Sequence, residues 1–117
     1  MLRKVVIESP YAGNVEVHLA YARSCVADSL ERGEAPIASH LLYTQKEILD
    51  DKIDDERALG IKAGLEWAKH ADASVFYIDF GISPGMAEAM ADAVKAGRPI
   101  EVRMLAHTRA KSPGVQK

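Results

Sequence analysis

Arg3-Lys4-Val5-Val6-Ile7-Glu8-Ser9-Pro10-Tyr11-Ala12-Gly13-Asn14 is the stretch that decides the fold class. Its centre, Val5-Val6-Ile7, is β-branched and unbroken by polar residues, as in a strand covered on both faces. The run stops at Ser9-Pro10, and Gly13 lets the chain turn, so a buried strand feeds a short loop. Asn14 is a good N-cap. Leu19, Ala22, Val26 and Leu30 then recur at helical spacing until Gly33 ends a helix over about 15–32.

The same alternation continues along the chain. Residues 35–40, ending in Ser39-His40, read as a second short strand, and 41–52 as a long loop with room for one helical turn. Asp54, Asp55 and Glu56 open a second helix over about 54–69, where acids complement the positive end of the helix dipole. Its expected apolar stripe is Ala58, Ile61, Leu65 and Ala68. Gly60 and Gly64 each cost that helix about 1 kcal/mol relative to Ala, which points to close packing against a neighbour. A third strand spans 72–78. Ser83 and Pro84 are suited to cap and start a third helix, with Met86, Met90, Ala93 and Val94 facing inward and Gly97 as its stop. In the last strand, 100–105, Val102 and Met104 alternate against Glu101 and Arg103. Strands alternating with helices give an open α/β sheet with right-handed crossovers. One domain over 1–105 and a flexible tail over 106–117 account for the chain.

Composition narrows the function. The 117 residues are 48% hydrophobic and 27% charged, with 5 Pro and 8 Gly, which is the profile of an ordinary globular domain. A net charge of -2 and 6% aromatic residues argue against a nucleic-acid partner, which would call for a basic surface or stacking platform. No apolar run approaches the ~18 residues of a membrane span, so no membrane partner is expected and the localisation is read as cytoplasmic. The single cysteine, Cys25, is expected to pack as a small core residue. No His/Cys spacing fits zinc, so no metal is assigned.

In such a sheet the ligand belongs at the carboxyl ends of the strands, where the winding reverses. Three loops meet there: 9–13, 40–52 and 79–85. Ser83-Pro84-Gly85-Met86 is either a plain helix cap or an anion site built from unpaired helix N–H groups. Tyr11, beside Gly13, is placed to stack on a flat ring or to serve as a half-buried turn residue. Asp79 is either an acceptor for ribose hydroxyls or a solvated loop acid. His40, expected at the end of the second strand, is a candidate phosphate donor, acid or base. His18, His70 and His107 are expected to be solvated. The acidic run Asp50, Asp51, Asp54, Asp55, Glu56 reads first as a solvated face, and Glu88 with Asp92 as an exposed helix pair.

Ser9-Pro10-Tyr11, Asp79, Gly81-Ile82-Ser83-Pro84-Gly85-Met86 and Gly97-Arg98-Pro99-Ile100 together resemble the nucleoside 2-deoxyribosyltransferase-like superfamily over residues 3–105. Ala38-Ser39-His40-Leu41-Leu42-Tyr43-Thr44-Gln45 and Glu56-Arg57 are similar to a phage- and prophage-associated branch of unknown function. The resemblance implies a flavodoxin/Rossmann-like three-layer sandwich with a parallel sheet of four or five strands, homodimeric or higher, and no cofactor. It also implies a nucleoside or nucleotide site at the carboxyl edge, with Tyr11 and Asp79 matching its ring-contacting and polar positions and Ser83 with Gly85 its phosphate-binding helix start; together with the loop reading, the expected ligand contacts are Ser9, Pro10, Tyr11, Gly13, His40, Asp79, Gly81, Ser83, Gly85 and Met86. The superfamily's catalytic glutamate corresponds to Ala89, and Glu88 lies one residue earlier, about 100° away around the helix. The leading expectation is therefore a binder of a phosphate-bearing nucleoside-type ligand that sequesters a metabolite or signal. The alternative is an N-glycosidic hydrolase or deoxyribosyltransferase using Glu88, Asp79 and His40. A third reading is an assembly module that acts through its sheet edge or helix faces. Tyr43 or Trp67 would be the residues lent between subunits to complete a pocket.

Overall fold

Val5, Val6 and Ile7 are at most 3% exposed, as a strand covered on both faces requires. They belong to β1 (Arg3–Glu8), the first element of a computed structural model that describes residues 1–106. After it come α1 (Val15–Glu31), β2 (Glu34–Ile37), the single turn α2 (Ser39–Leu42), α3 (Asp54–Ala68), β3 (Ala73–Tyr77), α4 (Pro84–Ala96) and β4 (Ile100–Arg103). All pairings are parallel and the strand order is β2-β1-β3-β4, a four-stranded flavodoxin/Rossmann-like sheet between two helical layers. The winding runs outward from β1 to β2 and then returns to β3, so the switch point lies between β1 and β3 at their carboxyl ends.

Strand alternation sorts the core. Val5, Ile7, Ala73, Val75 and Tyr77 pack with Tyr21 and Cys25 of α1, while Phe76 packs on the opposite face against Met86 and Ala89 of α4. Burial pushes the Cys25 thiol up to about 12, as suits a packed core residue. Asn14 Oδ1 accepts from the Val17 amide at 3.2 Å, and Gly97 closes α4 at φ +71, where a side chain would be strained.

The structure departs from the sequence pattern in five places, the first being Val94, expected inward on α4 but 68% exposed while Ala89 takes the inward position. His40 sits within α2, because β2 already ends at Ile37. In α1 the buried residues are Tyr21, Ala22, Cys25, Asp28 and Ser29, while Leu30 is 55% exposed, so the inward stripe is rotated toward polar groups that have partners. Only Ala68 of α3 is fully buried. In β4 the alternation is inverted: Arg103 is buried, and Val102 and Met104 are 53% and 43% exposed. Arg103 turns inward because Glu34 takes both its Nη atoms, at 2.9 and 2.6 Å, with Tyr77 Oη and Glu101 also in reach.

Of the tail expected over 106–117, only Ala106 falls within the described residues; the rest, His107 included, lies outside them. Among the described residues no helix is long and apolar enough to cross a membrane.

Candidate functional site

Because β1 and β2 are neighbours, the loop after β1 and the turn of α2 after β2 meet at the carboxyl edge. There the Tyr11 and His40 rings stack, with centroids 5.3 Å apart and planes 27° from parallel. Both rings are held from behind. His18 donates from Nδ1 to the Tyr11 carbonyl at 3.0 Å, and His40 bonds the backbone of Ser9, itself 1% exposed. His18 is thus half-buried and not solvated, and its ring also lies against Phe80, at 5.7 Å. Burial holds the His40 imidazole below its ordinary value despite the opposing pull of Asp51 and Ser9, so it is neutral at pH 7.

His40 opens onto a small cleft of about 40 Å³, walled by Tyr43, Leu49 and Ile61 with Thr44, Asp51, Glu56 and Arg57 as its polar groups. Thr44, Asp51 and Glu56 continue into an open trough of about 590 Å³ that reaches Tyr11, Lys46 and Lys52. The acidic run is thereby divided. Asp51 faces the His40 side of the cleft, Glu56 is turned onto the Asp50 amide at 2.8 Å, and Asp54 and Asp55 stay exposed at the start of α3. Sequence reasoning missed Thr44, Asp51, Glu56 and Arg57 as cleft residues. The signal available for Thr44 and Asp51 was the long 40–52 loop at a ligand-binding edge; Glu56 and Arg57 lie beyond it, in the first turn of α3.

Across the switch point the other expected residues have structural work of their own. Asp79 accepts from Tyr21 Oη and from the amides of Leu105 and Ala106, at 2.9 and 3.0 Å, while its own amide donates to Tyr21 Oη at 2.9 Å. Burial pushes its carboxyl up, but these donors outweigh it and hold Asp79 below the usual range. Asp79 is therefore a clasp between α1 and the chain leaving β4, with its oxygens already engaged. Gly81, at φ +84, turns the loop so that Phe80 lies over Tyr21, 4.7 Å between ring centroids.

At the start of α4, Ser83 Oγ accepts from the Met86 amide at 3.2 Å, and the Ser83 carbonyl from the Ala87 amide at 2.9 Å. Pro84 has no N–H, which leaves the Gly85 amide as the donor still open to an anion. Pro10 and Met86 are buried, Gly13 exposed. Glu88 is exposed on an unbroken α4, while Ala89, its neighbour, turns inward at 7% exposure. His40 and Tyr11 are thus brought together with the cleft, whereas Ser83, Gly85 and Glu88 are outside its lining. Among the described residues no cluster of His, Cys, Asp and Glu is arranged to hold a metal ion.

A family model described as a domain of unknown function, DUF7768, matches residues 3–103. The chain belongs to this family. The match begins at the first residue of β1 and ends at the last of β4, so the DUF7768 domain contains the whole sheet, the Tyr11–His40 pair and the cleft. No curated protein matches the chain.

Proposed function

We propose that this DUF7768 domain binds a phosphate-bearing nucleoside- or nucleotide-type small ligand at the carboxyl edge of its sheet and so sequesters it. The observation that carries the reading is the Tyr11–His40 stack at the mouth of a largely apolar cleft, with a few polar groups in its lining, at the carboxyl edge of the sheet. A flat base gains stacking energy on such a pair, and Thr44 and Asp51 supply a hydroxyl and a carboxylate for base or sugar donors. Lys46, Lys52 and Arg57 give the rim the cations that a phosphate needs. Binding is favoured over covalent glycosyl transfer because Glu88 points to solvent and Ala89 fills the inward position.

Calorimetric titration with nucleoside mono- and diphosphates and cyclic nucleotides tests the reading. At least one is expected to bind, with Tyr11→Ala weakening it about tenfold or more, the usual loss of a stacking contact. Absence of binding at millimolar ligand would overturn it. Release of free base from nucleoside monophosphates would instead favour the glycosidic reading.

A further inference from the structure

Where cleft and trough meet, the polar groups are not equally available. Thr44 Oγ1 donates to the His40 carbonyl, Glu56 accepts from the Asp50 amide at 2.8 Å, and Asp50 accepts from the Lys52 amide at 2.9 Å. Asp51 stands apart from these bonds. It is half-buried, lines both cavities and acts through its charge on His40, yet among the described residues its carboxylate takes no hydrogen bond or ion pair. Glu47 also lines the trough but is exposed. A cleft of about 40 Å³ has room for water and not for an aromatic ring, so a base must lie in the trough, on Tyr11 and among Val15, Ile48 and Leu49. Asp51 is then the free acceptor at its edge.

We propose, on the reading above that this edge binds a nucleotide, that the base is guanine, held through its N1–H and 2-amino group by the two oxygens of Asp51. A carboxylate only accepts, through two oxygens side by side. Guanine is the common base whose edge sets two N–H donors next to each other, so both oxygens are satisfied by charge-assisted bonds. Adenine and cytosine place a ring-nitrogen acceptor beside their amino group, and uracil sets its N–H between two carbonyls. Each would turn an acceptor toward one Asp51 oxygen, and that mismatch rejects it. Hypoxanthine keeps the N1–H but lacks the amino group, so one oxygen is left without a donor. Ribose hydroxyls are the competing use of a carboxylate. Asp51, however, lies where the trough meets the His40 cleft, whereas Lys46 and Lys52 line the trough alone. With the phosphate at the lysines, the sugar falls between them and the base, and Asp51 is left to the base.

Calorimetric titration of the unmodified chain and of Asp51→Asn with GMP, IMP, AMP, UMP and 2′-deoxy-GMP tests the proposal. The unmodified chain should bind GMP about tenfold or more tighter than IMP, AMP or UMP, and 2′-deoxy-GMP as tightly as GMP. Asp51→Asn should keep the melting temperature of the parent, since the carboxylate has no partner among the described residues. It should weaken GMP about tenfold or more and bring AMP level with it or above, because a side-chain amide offers adenine the donor and acceptor that a carboxylate cannot. Nucleotide binding without a preference for GMP over IMP and AMP, or a preference that survives Asp51→Asn, would overturn the guanine assignment and leave the nucleotide reading standing. So would weak binding of 2′-deoxy-GMP together with an equal loss of all ribonucleotides in Asp51→Asn, which puts Asp51 on the sugar. Failure of every nucleotide to bind at millimolar concentration would remove the nucleotide reading and the guanine assignment together.

Discussion

Glu8 ends β1 on the face shared with Phe76 and α4, where burial raises its carboxyl to about 7, with Arg98 pulling down and Asp92 pushing up. In the unfolded chain the same group titrates near 4.5. Between those values the folded state holds a proton that the unfolded state has lost, so stability falls as pH rises from about 4.5 to 7. Glu8→Gln is therefore expected to stabilise the protein by up to roughly 3 kcal/mol at pH 8 and to change little at pH 4.5, as read by urea denaturation at the two pH values. The opposite case is Asp79, whose carboxylate is held charged by Tyr21 and two amides. Asp79→Asn replaces one acceptor oxygen by a donor facing donors. It is expected to cost about 2 kcal/mol or more and to raise amide exchange at Leu105. Sequence reasoning placed Asp79 correctly at the strand end. What it was bonded to was hidden, because Tyr21 lies 58 residues away and the Leu105 amide 26.

At the scale of the elements, α3 shows why its glycines stand where they do. A Cβ on Gly64 would lie 3.1 Å from Ser39 Cβ at the start of α2, whereas a Cβ on Gly60 would meet the mobile end of Leu49 at 3.3 Å. Gly64→Ala is accordingly expected to destabilise by about 1–2 kcal/mol through overpacking. Gly60→Ala should be neutral or up to about 1 kcal/mol stabilising, from gained helix propensity. Urea unfolding of the two single variants separates these outcomes. The close approach itself was legible, because two glycines in one helix are costly. β1 and the Ser83-Pro84 start of α4 were legible for a similar reason: a β-branched run and a cap are local signals. The orientation of β4 was not, since period-2 alternation assigns the apolar residues inward unless a distant partner outbids them. Glu34, 69 residues from Arg103, is that partner. The cleft was half legible: the long loop announced a site, but the position of Asp51 depends on how the loop folds back beside His40.

For the molecule as a whole, Glu34 and Arg103 are the centre of a charged network that spans the sheet from one edge strand to the other. Ser29 Oγ donates to Glu34 at 2.7 Å, and Tyr77 Oη passes the chain of bonds to Asp28, which Arg32 also meets at 2.9 Å. Arg3 joins Glu34 to Glu101. Arg103→Met should cost about 3–5 kcal/mol, because it strands a buried carboxylate, and Glu34→Leu/Arg103→Met should recover a large part of that loss. The hydrogen bonds from Arg103 hold the Glu34 carboxyl down at about 2, against burial. Its depressed value gives stability that is complete above about 4.5 and is lost as pH falls toward 2. With the opposing slope of Glu8, thermal unfolding across pH should show its highest melting temperature near pH 5. The Asp79 clasp has a practical corollary. It pins the Ala106 amide to the carboxyl edge, whereas β1 starts at the opposite edge, six residues or roughly 20 Å away. Anchoring the protein to a sensor chip by its first residues leaves the cleft facing the buffer, while a fusion joined after Ala106 emerges on the same side as the cleft.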